Sequence, residues 1–416
     1  MKILMVNKFL YPAGGAETYM FKLGNQLQSM GNEVEYFGMY HEDNCVGNSL
    51  QCYTNFVDFR TAGILEKITD SLKTIYSFEA KKKIGLVLDN FNPDVVHLNN
   101  INFQLTPSVI YEIKKRNIPI VQTVHDVQIA CPNHRMYIEH RERICSECLN
   151  GKYTNCIKNK CVHNSTLKSC LATLESYYYH KRNTYNLVDS YICPSQFMAD
   201  SIIKGGVKEE KIKVLHNFCE NTNSDTIKKS ANKYVLYFGR LSVEKGIKTL
   251  VQCCKDLINI QFIFAGTGPL EDICKGIKNI NAVGFKSGQE LKQLISNAIF
   301  TVCPSEWYEN CPMSVVESLS LGTPVIVSDL GGAKELITEN ETGLIFKAGD
   351  IEALKNAVST LYNNIELLQN MSKKCIKSST NTAEKYSKTV LEIYSSLINK
   401  ERYNYGKTCI KNHKRN

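Results

Sequence analysis

No stretch of this 416-residue chain approaches the roughly 18–20 consecutive apolar residues that a membrane-spanning helix needs. The apolar opening, Met1 to Val6, stops at Asn7 and Lys8. That is short of the roughly 7–15 apolar residues of a secretory signal, so a cytoplasmic protein is expected. A complete G-x-G-x-x-G is also missing, which disfavours a dinucleotide site. No short internal repeat and no nucleic-acid-binding module is present. A nucleic-acid partner is therefore not expected, although the formal net charge is +9.

What is present looks globular. Hydrophobic residues make up 43% and charged residues 22%, close to the soluble average. The length suits two domains. Positive charge concentrates in residues 141–182, with eight Lys/Arg against three Glu, and in 401–416, with five Lys/Arg against one Glu. Such stretches are either solvated faces or surfaces for anions, including a peripheral contact with an anionic membrane.

Apolar runs alternate with amphipathic stretches. Strands are expected at Ile3–Val6, Val34–Phe37, Val95–Leu98, Ile120–Val124 and Tyr191–Cys193. A helix is expected from Glu17 to Met30, where Met20, Phe21, Leu23 and Leu27 recur at helical spacing and Gly31 follows as a stop. The polar stretch 220–232 reads as a linker. Strands then resume at Tyr234–Phe238, Gln261–Ala265, Ala282–Phe285, Phe300–Cys303 and Pro324–Ser328. This alternation predicts two α/β domains, each a doubly wound parallel sheet, at about 1–220 and 230–384. A last helix, from about 385, carries Tyr386, Val390, Leu391, Tyr394 and Leu397 at helical spacing.

The motifs sit where such sheets bind ligands, beyond the carboxyl ends of strands. The first strand leads to Gly14-Gly15 and a helix start, whose free amides suit phosphate. The strand at Ile120 ends in His125-Asp126. In the second half, Gly239-Arg240 and Lys245-Gly246 follow a strand. An Arg and a Lys five residues apart suit a diphosphate, one by bidentate bonding and one as a point charge. Fixed cations there would stabilise a leaving nucleoside diphosphate. Gly266 and Gly268 form another strand-end loop, and Gly284-Phe285 offers backbone to a base. Glu309 and Glu317 stand eight residues apart around Asn310, Cys311, Pro312 and Met313, before an expected helix from Met313 to Leu321. Paired carboxylates hold sugar hydroxyls with fixed geometry.

In their order, Gly14–Glu17, Thr123–Asp126, Gly239–Gly246, Ala265–Pro269, Glu309…Glu317 and Gly322–Val325, these pieces resemble the retaining glycosyltransferases of family 4, which have the GT-B fold. The matching pieces span about residues 1–345, and the type is that of bacterial polysaccharide biosynthesis. The resemblance implies that Gly15 lies by the donor phosphates and that Arg240 and Lys245 clamp the diphosphate. It implies that Glu309 contacts the donor sugar, that Glu317 holds the ribose, and that His125 lies near the reacting centre. It further implies a nucleotide-sugar donor (UDP or GDP), no metal cofactor for the chemistry, and a glycan acceptor, commonly lipid-linked. The last helix would return to the first domain. Asn310-Cys311 replaces a Phe-Gly pair found in many members, so sugar specificity does not carry over. A sugar-nucleotide epimerase and a non-catalytic nucleotide-sugar sensor are the competing readings. A phosphorylase would need a longer chain and a pyridoxal-binding lysine.

Seventeen cysteines remain to be explained. An odd number in a long chain argues against a disulfide framework. Cys145, Cys148, Cys156 and Cys161 give C-x2-C-x7-C-x4-C, a spacing that could close a structural zinc site, with Cys131 and His163 in reserve. Free or redox-active thiols and an iron–sulfur cluster are the alternatives. The segment, about 131–165, reads as an insertion shaping the acceptor side.

Overall fold

Short apolar strands pair into two separate parallel sheets. In this computed structural model the described residues are 1–56, 74–219, 233–378 and 381–413, with side chains only to Lys400. The expected linker 220–232 falls outside them, as do residues 414–416 and every side chain of the basic stretch 401–416.

The first sheet contains β1 (Lys2–Val6), β2 (Glu33–Phe37), β3 (Val95–Leu98), β4 (Ile120–Thr123), β7 (Ser190–Cys193) and β8 (Ile212–Val214), in the order β2-β1-β3-β4-β7-β8. A two-residue hairpin, β5 (Tyr137–Ile138) with β6 (Arg143–Ile144), lies outside it. The second sheet contains β9 (Val235–Phe238), β10 (Phe262–Ala265), β11 (Ile280–Gly284), β12 (Phe300–Cys303), β13 (Val325–Ser328) and β14 (Gly343–Phe346), in the order β11-β10-β9-β12-β13-β14. Every pairing in both sheets is parallel. Two strands were not expected. β8 is three residues long with Lys213 and Val214 exposed, so it carries no apolar run. β14 opens on a glycine and is only four residues long.

Parallel strands need crossovers, and helices supply them. Helix Gly15–Ser29 buries Tyr19, Met20, Leu23 and Leu27 against Ile3 and Met5 of β1. On the same sheet face lies the first part of helix Ala383–His413. Its Tyr386, Val390 and Tyr394 are fully buried there, so the chain's end caps the first sheet rather than the second. Polar groups fix the register of this contact. The Tyr19 hydroxyl meets Thr123 at 3.0 Å and Tyr386 at 2.7 Å. His97 meets Thr123 through Nε2 at 2.8 Å and Tyr394 through Nδ1. Burial lowers His97 to about 3, so it stays a neutral hydrogen-bonding group.

One helix reverses the usual pattern. Thr166–Lys181 buries Ser169, Ala172, Thr173, Glu175, Ser176 and Tyr179, while Leu167 and Leu174 face outward. Ser165 caps its start by accepting from the Lys168 amide. Glu175 lies inside, where Gln128 Nε2 donates to it at 3.1 Å. Burial pushes its carboxyl up to about 8, against that hydrogen bond.

A carboxyl raised in the folded state is protonated there while the unfolded chain has already ionised. The stability of the neutral form is therefore complete below the ordinary carboxylate range and is lost as pH rises towards 8. Glu175→Gln should remove this loss, at about 1.4 kcal/mol for each pH unit recovered. In urea titrations the variant should gain on the parent by a few kcal/mol between pH 5.5 and 8. Parallel pH profiles would show that Glu175 ionises freely.

Candidate functional site

Strand order decides where the two sheets can bind anything. In the first, the chain moves from β1 to β2 and then resumes on the other side of β1, at β3. In the second it moves from β9 through β10 to β11 and resumes beside β9, at β12. Loops leaving the two central neighbours diverge to opposite faces and leave a crevice at their carboxyl ends. The two crevices face each other across a cavity of about 660 Å³. Gly14, Gly15, Asn100, His125 and Asn217 line it from one side, and Arg240, Lys245, Glu309, Pro312, Met313 and Glu317 from the other.

On the first side, β1 ends at fully buried Asn7. Its Nδ2 donates to Glu17 at 3.0 Å, and its Oδ1 accepts from the Asn100 amide at 2.9 Å. These bonds hold the loop before helix Gly15–Ser29. No atom stands within 4 Å of where a Gly15 side chain would begin, so ligand can approach this backbone closely. His125 follows β4. Its Nε2 lies 3.0 Å from Asn99 Oδ1, and its ring meets Tyr19 edge-on. Burial lowers it to about 4. It is therefore a neutral hydrogen-bonding group at pH 7, and a poor general base.

On the second side, β9 and β12 are neighbours at the reversal, so the loops after them converge. Lys245 Nζ bonds Glu309 Oε1 at 2.6 Å, and Ser305 Oγ donates to the same oxygen at 2.5 Å. The Lys245 ammonium also lies 5.1 Å from the centre of the Trp307 ring. Burial opposes charge on both partners, yet their mutual attraction outweighs it. Lys245 is raised and Glu309 lowered, so both stay ionised. The sequence placed each of these residues on ligand, and their pairing with one another was not visible in it. Arg240 is exposed, and its guanidinium meets no hydrogen-bond or ionic partner among the described residues. Glu317 lies in the second turn of helix Met313–Ser320, whose start faces the cavity.

Asn310 and Cys311 line this cavity and also join the two domains. Asn310 Nδ2 donates to the Val124 and His125 carbonyls at 2.9 and 3.3 Å, tying the second domain to the end of β4. The Cys311 thiol and carbonyl accept from Asn217. Gly266 and Gly268 do not line the main cavity. Their backbone packs on another loop: a side chain at Gly266, where φ is +155°, would begin 1.9 Å from the Gly239 carbonyl oxygen. They border a neighbouring cavity of about 430 Å³ that shares Gly239, Arg240 and Phe285 with the first.

A third cavity, about 400 Å³, opens on the far side of His125, Glu309 and Asn310. Phe103, Trp307, Tyr308, Lys8 and Asp126 line it, together with His134, which stacks on Phe103 at 4.4 Å. Arg135 lies 5.3 Å from the centre of the Trp307 ring, the same indole that Lys245 meets. Nothing in the local sequence marked Phe103 or His134. The loops of β3 and β4 bring them together.

The fold draws the cysteines of the expected four-thiolate site together. Cys145, Cys148, Cys156, Cys161 and Cys131 do surround one small void of about 10 Å³. Among the described residues, however, no three His, Cys, Asp or Glu side chains are arranged to hold a metal ion. Cys131 turns to Asn133 at 3.0 Å and Cys148 to the Tyr153 carbonyl at 4.0 Å, while Cys161 bonds Cys156. Cys148 and Cys156 form a satellite core with Tyr153.

Glu309 is only 6% exposed, so its charge depends on Lys245. Lys245→Ala should destabilise the second domain by about 3–5 kcal/mol, the usual cost of orphaning a buried charge. Adding Glu309→Gln should restore more than half. Trp307, the one tryptophan, reports the transition by fluorescence during urea unfolding. A double variant no more stable than the single one would show that the pair is not the source.

Residues 13–221 match the profile of Glycosyltransferase Family 4, and residues 220–378 that of the glycosyl transferases group 1. A 42.6 kDa protein of the cps region of Klebsiella pneumoniae is 24% identical over 81% of this chain and 87% of its own. The amylovoran biosynthesis glycosyltransferase AmsK of Erwinia amylovora is 29% identical over 29% of this chain and 33% of that one. Among solved structures, HepE of Anabaena in complex with UDP superposes with a TM-score of 0.68 at 18% identity, over 95% of this chain and all of that one. HepE has also been solved with UDP-glucose. With two parallel-sheet domains facing a common cavity, the chain belongs to the family 4, group 1 glycosyltransferases and has their GT-B fold.

Proposed function

We propose that this glycosyltransferase moves a hexose from a UDP- or GDP-sugar to a hydroxyl of a growing, lipid-linked glycan in surface polysaccharide synthesis, with retention at the anomeric carbon. One observation carries the reading. The cavity sets an unpartnered arginine, a lysine and the open Gly14-Gly15 backbone around one space, with two carboxylates beside them. Such a space suits a diphosphate next to a polyhydroxylated ring. The complexes of HepE with UDP and UDP-glucose, and the cps and amylovoran relatives, support it.

Arg240 would take the diphosphate, and the phosphate would draw Lys245 Nζ away from Glu309. The freed Glu309 would then accept from donor sugar hydroxyls, while Glu317 holds the ribose. Arg240 and Lys245 supply positive charge where the leaving diphosphate gains negative charge, so no metal cofactor is assigned to the chemistry. Among the residues lining this cavity the carboxylates are Glu309 and Glu317, both already engaged. Neither is offered as a nucleophile. The acceptor oxygen instead forms its bond to the anomeric carbon on the face the diphosphate leaves. Its proton passes to the departing phosphate oxygen. The acceptor would enter by the cavity beyond His125, where the faces of Trp307 and Phe103 suit sugar rings. A lipid-linked acceptor would place the enzyme peripherally, at the inner face of a membrane.

A thermal-shift series with UDP-, GDP- and ADP-glucose tests the donor. One base should raise Tm, with about 2.7 kcal/mol of added stability at roughly 100 times Kd. Arg240→Ala should leave the unliganded stability within about 0.5 kcal/mol of the parent's, because the side chain holds nothing among the described residues. It should abolish the shift and cut turnover by about 10²–10³. No shift with any nucleotide sugar, or full turnover by the variant, would overturn the reading.

A further inference from the structure

Helix Thr166–Lys181 turns its small and polar residues inward and leaves leucine in water. Leu167 is 69% exposed, Leu174 53% and Tyr177 42%. Seven and ten residues apart, they form one outward stripe. An isolated exposed leucine needs no explanation, but a stripe along a helix that buries serine, threonine and glutamate does.

The stripe continues onto a second element. Tyr178 packs edge-on against Tyr76, and Tyr76 against Phe78. Phe78 begins helix Phe78–Phe91 and is 77% exposed; four and eight residues on, Lys82 and Leu86 are exposed as well. Exposed charge along helix Thr166–Lys181 has one sign. Between Lys152 and Arg182 the chain carries six Lys/Arg, and its one carboxylate, Glu175, is buried. Lys168, Lys181 and Arg182 flank the leucines and are exposed, and the Arg182 guanidinium lies 4.7 Å over the Tyr178 ring.

We propose that this face is a docking surface for an anionic lipid bilayer. Aliphatic and aromatic side chains bordered by Lys and Arg are what an element lying in the headgroup layer presents. No helix among the described residues is long and apolar enough to cross a membrane, so the contact is peripheral. The charge argues against a second copy of this chain, since two such faces would repel. The leucines argue against a nucleic-acid backbone. The proposal rests on the lipid-linked acceptor assigned above and deepens it. From the buried side of the helix, Glu175 accepts from Gln128, whose own amide donates to Asp126 at 2.9 Å. Asp126 lines the acceptor-side cavity. Docking would therefore hold that cavity one helix diameter, about 10 Å, from the headgroups.

Flotation of the full chain tests this, without donor or acceptor, on vesicles of phosphatidylcholine alone and with phosphatidylglycerol added. The parent should float with the anionic vesicles at low salt and far less in about 0.5 M salt, where the Debye length is only a few ångströms. Leu167→Glu with Leu174→Glu should lower partitioning more than about tenfold, and Lys168→Glu with Lys181→Glu likewise. Lys374→Glu, on the second domain, should change little. Because all these sites are exposed, Tm and the UDP-sugar shift of each variant should match the parent, which separates loss of docking from loss of the transferase site. A parent that stays at the bottom with anionic vesicles would overturn the proposal. So would leucine variants that float like the parent, or a parent dimer in solution that the leucine substitutions disperse.

Discussion

A parallel sheet must carry its chain back across one face after every strand, and this constraint organises the whole molecule. Where the direction of winding reverses, at β1/β3 and at β9/β12, neighbouring loops part and leave a crevice. The two reversals face one another, and Gly15, Asn100, Arg240, Lys245, Glu309 and Glu317 all lie on a loop that leaves one of those four strands or on the helix that follows. Lys245 and Glu309 are 64 residues apart in sequence and 2.6 Å apart in space for this reason alone.

The contacts that join the two halves are short-range and polar. Asn310 holds the backbone of Val124 and His125, and Asn217 holds Cys311. Glu335 accepts the first amides of helix Gln196–Lys204 at 2.6 and 2.8 Å, using the positive end of that helix as its partner. Phe197 stacks on Tyr308 beside it. The last helix then crosses to the first sheet and seals it with tyrosines whose hydroxyls are satisfied inside the core. Hydroxyl pairing of that kind fixes one register, because any slip would leave several buried polar atoms unpaired.

Trp307 lines the cavity of about 400 Å³ and meets a cation from each domain. Lys245 approaches it from its own domain and Arg135 from the other. A cation on an aromatic face gains most when water is excluded. The indole thus links the charge that would serve the donor with the wall of the acceptor-side cavity. The cysteine-rich insertion contributes a small thiol-lined core.

What the sequence determined by itself is local. Apolar runs such as Ile3–Val6 and Phe300–Cys303 could be read as buried strands, and Gly-Gly, Gly-Arg and the Glu309…Glu317 spacing could be read as strand-end loops. These signals depend only on residues a few positions apart. β8 and β14 escaped because three or four residues, with a glycine or exposed side chains, carry no period. What only the tertiary structure decided is partnership. Nothing near Lys245 says that its ammonium rests on Glu309, nothing near Asn310 says that its amide holds His125, and the spacing of the cysteines does not say which way each thiol turns. Helix Thr166–Lys181 is the plainest case. Leu167 and Leu174 face solvent, while Gln128 on the neighbouring loop meets Glu175 on the buried side. A period reveals that a helix has two faces; the surface it packs against decides which one is inside.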